Sequence, residues 1–91
     1  CMARAMVDPA ELRRFARDLS RFNSELEGLV AGLKGKMATL EASWRDQEQR
    51  KFAEEFNTTI KAFARFSEVS QQHVQFLAQK AGHIEAYLNQ R

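Results

Sequence analysis

Two long stretches of this chain carry the same alternation of apolar residues at steps of three and four. In the first, Leu12, Phe15, Leu19, Phe22, Leu26, Leu29, Leu33 and Leu40 recur in that rhythm, broken only where Lys36 takes an apolar place. That is the heptad seam of an α-helix, with the first of each pair at a and the second at d. One residue beyond each d position runs a second stripe of Ala16, Asn23, Val30 and Met37. The second stretch carries Phe52, Phe56, Ile60 and Phe63, then Val74, Leu77, Ala81, Ile84 and Leu88, with Ser67 and Ser70 at the seam positions between. Flanking that gap, Ala62, Phe66, Val69, His73 and Phe76 form a parallel stripe one residue earlier. A seam with a flanking stripe is wider than a two-stranded coiled coil needs, and it predicts helices with more than one neighbour.

Start and stop signals place the two helices. Asp8 is a preferred N-cap, Pro9 suits the first helical position and Glu11 follows at N3, so the first helix is predicted over about 8–42 after a frayed lead-in of residues 1–7. Ser43-Trp44-Arg45-Asp46 reads as the turn, about 43–46, tied down by the chain's one tryptophan. Asp46 and Gln49 make a capping-box-like pair, and Asp46 with Arg50 has the i,i+4 spacing with the acid first, so a second helix is predicted over about 47–88. Gly82 loosens the last turns, leaving residues 82–91 partly helical. Gly28, Gly32 and Gly35 each weaken the first helix by up to about 1 kcal/mol relative to alanine. They are either tolerated surface positions or a site where a neighbouring backbone comes close.

The expected fold is therefore all-α: residues 1–91 as one antiparallel helix-turn-helix hairpin. Helices of about 35 to 40 residues make a rod some 50 to 60 Å long. Each broad apolar face would stay partly wet in such a rod, and the economical cover is dimerisation into a four-helix bundle. The expected dimer interface comprises Leu19, Phe22, Leu26, Val30, Phe63, Phe66, Val69 and Phe76.

Composition narrows the function. In a chain of 91 residues, 44% hydrophobic and 29% charged with four Gly and one Pro, few long helices are favoured over a turn-rich fold or disorder. A formal charge of +2 with both signs interspersed gives no footprint for nucleic acid and little attraction to an anionic membrane. No apolar run approaches the roughly 18 residues that cross a bilayer, and Met2 to Val7 lack a signal-peptide core. Synthesis in the cytoplasm is expected, with any export proceeding without a cleaved signal. Cys1 precedes a methionine that reads as a natural start, and a single cysteine forms no internal disulfide.

No catalytic constellation is present in the pattern. His73 and His83 are ten apart with no cysteine or histidine at ligand spacing, which argues against a metal. Asp18, Glu25, Glu27, Glu54 and Glu55 fall on polar faces, where solvation or i,i+4 pairing accounts for them. The glycines interrupt a helix instead of following a strand, so no phosphate cradle is expected, and neither an enzyme nor a cofactor is indicated.

Length, two helical stretches and a central tryptophan together resemble the WXG family, the small helical-hairpin proteins of type VII (ESX-type) secretion. That family carries Trp-x-Gly in the turn, where this chain has Trp44-Arg45-Asp46; an N-capping Asp46 fills the role the glycine has there. Family members also carry a C-terminal signal of Tyr, three residues, then an acid; here Tyr87 is followed at the fourth place by Arg91. The resemblance implies a homodimer, or a heterodimer with a related small helical protein, and recognition by a secretion ATPase through Trp44 and the segment around Tyr87. Two other readings stand beside it: a cytoplasmic structural or adaptor hairpin unrelated to secretion, and a membrane-active protein drawing on its Phe-rich face.

Overall fold

Two aspartates start the two helices of this protein. In the computed structural model, which describes residues 7–89, Asp8 has extended backbone and its Oδ1 accepts from the Ala10 amide at 2.9 Å. Its carbonyl accepts from the amides of Glu11 and Leu12, and Pro9, which has no amide proton to satisfy, opens the helix. Helix α1 spans Pro9–Glu41. Asp46 Oδ1 accepts from the Gln49 amide at 2.9 Å and its carbonyl from the Arg50 amide at 3.3 Å, starting α2, Gln47–Asn89. The Gln49 side chain does not turn back on Asp46 as a capping box would; its Nε2 donates to Glu41 Oε2 at 3.2 Å, tying the end of α1 to the start of α2. Asp46 and Arg50 form no ion pair; among the described residues those are Arg13–Glu85 and Arg21–Asp18. Between the helices, the amides of Ser43 and Trp44 both donate to the Leu40 carbonyl and close the first helix.

The result is an antiparallel hairpin 68 Å long and 19 by 16 Å across. Cys1, the lead-in up to residue 6, and Arg91 lie outside the described residues.

The contact line on α1 differs from the expected seam. The a residues Leu12, Leu19 and Leu26 are partly buried, but Leu33 and Leu40 further along that column and the d residues Phe15, Phe22 and Leu29 are exposed, Phe15 by 57% and Leu29 by 69%. What α2 covers instead is the flanking stripe: Ala16 and Asn23 are buried, Val30 and Met37 partly so. The physical reason is size. Three columns compete for an arc one neighbouring helix can cover, and the column with small side chains lets the two backbones approach, so the phenyl rings swing to the side. On α2 most of the seam keeps its place, though Phe52, Phe63 and Leu88 are exposed, and the two serines within it are buried and used. Ser70 Oγ donates to Asn23 Oδ1 at 2.7 Å and Ser67 Oγ to Glu27 Oε2 at 2.9 Å. Polar pairs of this kind fix the register of one helix against the other.

Gly28, Gly32 and Gly35 meet no other part of the chain within 4 Å of where a side chain would start, so no close approach within the hairpin requires them.

Candidate interaction surface

The only hydrophobic residues fully buried among those described are Ala16, Ala81 and Ile84. No large side chain is enclosed, while Phe15, Phe22, Phe66 and Phe76 are 57%, 49%, 45% and 62% exposed. These rings lie on one flank. Phe22 and Phe66 meet edge to face at 6.3 Å between centroids, across the two helices. Phe15, Leu19, Phe66, Ser70, His73, Phe76 and Leu77 line a shallow, almost wholly apolar hollow of about 410 Å³. The hollows behind it are more mixed, Arg13, Arg17, Ser20, Ser24, Gln71 and Gln75 lining them together with Ala16, Val74 and Ala78. The hairpin thus has an aromatic flank and a mixed flank.

Of the residues expected at a dimer interface, Phe22, Phe63, Phe66 and Phe76 stand on the exposed surface. Leu19, Leu26, Val30 and Val69 are partly buried, the first three on the side of α1 that carries the contact line. Phe15 and Leu29, outside the expected set, belong to the exposed flank; they share the d column with Phe22, and that shared column was the available signal.

Trp44 is partly buried at the tip, where its ring lies 5.8 Å from Phe52, which stacks 6.0 Å from Phe56. Its amide is held by Leu40, so the indole is fixed at the turn by backbone and by ring contact. Tyr87 is 62% exposed near the end of α2, at the far end of the rod from Trp44 within one chain.

At that far end Arg13 grips Glu85 with two hydrogen bonds, Nε to Oε2 at 2.8 Å and Nη2 to Oε1 at 2.7 Å. No local pattern points to this pair, whose members lie 72 residues apart. The hydrogen bonds hold the Glu85 carboxyl below its ordinary value, against a smaller opposing effect of desolvation, and the same pairing raises Arg13. A depressed carboxyl stabilises the fold above its unfolded value, and that contribution is lost as pH falls through the folded value. Melting temperature should therefore decline on acidification below about pH 5, and Glu85→Gln should flatten that decline while changing the neutral-pH melt little, since both side chains are about 40% exposed. Identical pH profiles for the two proteins would remove the pair from the account.

Among the described residues no group of three or more histidine, cysteine, aspartate or glutamate side chains is placed to hold a metal, and both histidines are exposed. No described helix is long and apolar enough to cross a membrane.

A helical hairpin of this length, with tryptophan at the turn and an uncovered aromatic flank, defines a class of small helical proteins. The chain belongs to the WXG100 family, proteins of 100 residues with WXG, which matches it over residues 4–87. Among solved structures it is similar to the wild-type secreted protein EsxB from Bacillus anthracis str. Sterne, 25% identical with a TM-score of 0.79, over 91% of this chain and 89% of that one. A mutant of EsxB gives 25% identity and a TM-score of 0.79 over 93% and 98%. A selenomethionine form gives 24% identity and 0.80 over 94% and 98%. Among curated proteins, none matches the chain in sequence. In this member Asp46 stands where the family motif has glycine, and its carboxylate takes up the Gln49 amide.

Proposed function

We propose that this protein is a non-enzymatic type VII secretion substrate, or the partner that accompanies one, and that it works by helix pairing through its aromatic flank. The observation that carries the reading is the flank itself. Four phenyl rings about half exposed, over a core with no enclosed large side chain, form a surface that a second hairpin completes as a four-helix bundle. The partner is a second copy or a related small helical protein. Family membership and the likeness to a secreted protein support export.

Trp44 at the tip and the exposed Tyr87 are the residues offered to a secretion ATPase. Where the tyrosine signal ends in an acid, this chain has Arg91, which favours export in company with a partner that carries the signal. Trp44→Ala should lower export of the pair several-fold while helicity by circular dichroism stays close to native, because both caps and the Leu40 hydrogen bonds remain. Undiminished export of a stably folded Trp44→Ala protein would overturn the secretion reading and leave a scaffold hairpin.

A further inference from the structure

The formal charge of the chain is only +2, but folding gathers its cations unevenly. Arg13, Arg14, Arg17 and Arg21 all lie in the first half of α1. From Arg14 to Arg17 to Arg21 the steps are three and four, so these three form one column, and all three are exposed. The part of α2 that runs beside them does not answer their charge. Two cross-helix contacts, Arg13 to Glu85 and Ser70 to Asn23, bracket that part. Within it, residues 69–84 contain no aspartate or glutamate; Gln71, Gln72, Gln75 and Gln79 stand there, together with the cation Lys80. On α1 the acids at this level are Glu11 and Asp18. Asp18 meets Arg21 at 3.7 Å with both side chains more than half exposed, a contact that contributes little. Arg14 and Arg17 have no carboxylate at ion-pair distance among the described residues.

Helix stability does not account for the cluster. Arg13 with Arg17, Arg14 with Arg17 and Arg17 with Arg21 are like charges at i,i+3 and i,i+4, spacings at which repulsion weakens a helix. Pairing through the rings does not account for it either. The arginines border the other flank, where a hollow of about 260 Å³ lies between the helices. Ala16, Val74 and Ala78 give it an apolar floor, and Arg13, Arg17 and Ser20 a polar rim. None of these six lines the aromatic hollow. A floor and rim of this kind suit a carboxylate on a short apolar stem. The methylenes would cover the alanines and the valine, and the oxygens would accept from the Arg17 guanidinium and the Ser20 hydroxyl. Arg13, already turned to Glu85, adds charge without giving up its own bonds.

We infer that this face docks an acidic segment of a different protein, seating one glutamate in the hollow and setting further carboxylates against Arg14 and Arg21. Charge complementarity selects the occupant, and the planar fork of arginine favours carboxylates over a diffuse negative field. A second copy meeting this face with its own would set arginines against arginines, which disfavours it. A bilayer would meet a single column of cations near one end of a rod 68 Å long, which gives only weak attraction. The face shares no residue with the expected pairing interface, so a bundle closed through the rings still presents it.

The test titrates the full-length protein with a helical peptide of alanine and glutamine that carries three glutamates at steps of three and four, followed by amide chemical shifts. Shifts should appear from Arg13 to Arg21 and at Val74 and Ala78, and be absent at Leu33 and Phe56. The same peptide with glutamine at all three places should bind at least about tenfold more weakly. Arg14→Gln with Arg17→Gln should weaken the glutamate peptide to the same extent while helicity and light-scattering mass stay unchanged, because neither side chain takes part in an ion pair within the hairpin. Equal binding of the two peptides, or undiminished binding by the folded double variant, would overturn the inference. So would equal binding of polyphosphate, or of phosphatidylserine vesicles, at matched charge, since the face would then take any anion. The light-scattering mass reports pairing separately, so failure here and failure of the pairing reading are told apart.

Discussion

With Phe66 and Phe76 both changed to aspartate, the protein should run at its monomer mass of 10.5 kDa under conditions where the native chain runs at twice that. The two rings are 45% and 62% exposed in the hairpin, so the hairpin itself relies on only part of each. Burying the remainder against a second copy is worth on the order of 1 to 2 kcal/mol per ring, and a symmetric pair contains four of them. An aspartate left in that interface adds the desolvation of a charge. The combined loss is about 6 kcal/mol or more, which weakens association by about 10⁴-fold. Size exclusion with light scattering across a dilution series measures it directly. Gln75→Asp, one residue from Phe76 but lining the opposite groove, should leave the mass unchanged. A double variant that stays dimeric would place the interface elsewhere.

The hairpin was legible in the sequence because its signals are local. Asp8-Pro9 and Asp46 are caps whose chemistry acts within one turn of helix, and a three-and-four alternation reports a helix whatever it packs against. Which column of a wide face meets the neighbour is a different kind of question. Leu12, Phe15 and Ala16 stand side by side, and hydrophobicity alone ranks Phe15 above Ala16. The structure reverses that order because the approach of two backbones rewards small side chains, and because Asn23 finds its acceptor-seeking partner Ser70 only in one register. The rings displaced from the contact line then become the interaction surface, so the misplaced column and the candidate site share one cause.

Pairs distant in sequence were illegible for a related reason. Arg13 and Glu85 are unremarkable surface residues until the turn length sets which rung of α2 faces which rung of α1. The Glu41–Gln49 hydrogen bond and the Asp46 cap set that register at the tip, and it is carried more than half the length of the rod to the Arg13–Glu85 clasp. Ser67 and Ser70, which interrupt an apolar seam, are polar where Glu27 and Asn23 reach across. A polar residue at a seam position is thus a signal for a cross-helix hydrogen bond, with its partner to be sought on the other helix of the hairpin.

Ala81→Leu should be among the most damaging single changes to stability, lowering the melting temperature by about 10 °C. Ala81 is 0% exposed and Ala16, one turn from the Arg13 clasp as Ala81 is one turn from Glu85, is 6% exposed. A fully covered alanine on the contact line lets the helices come close there, and Ile84 is buried one turn further along α2. Three added carbons have no space to occupy. Either the leucine adopts a strained rotamer or the helices separate, and overpacking of this kind costs about 1 to 3 kcal/mol. For a chain of this size that corresponds to roughly 5 to 20 °C. Separation would also pull Arg13 from Glu85, so the depressed carboxyl should return toward its ordinary value, a readout that a generally weakened helix would not give. Ala86→Leu makes the same chemical change on the exposed side of the same helix and should be close to neutral, since leucine and alanine are both good helix formers. Equal loss in the two variants would mean that close packing at Ala81 contributes little, and that the end of the hairpin is held by the salt bridge alone.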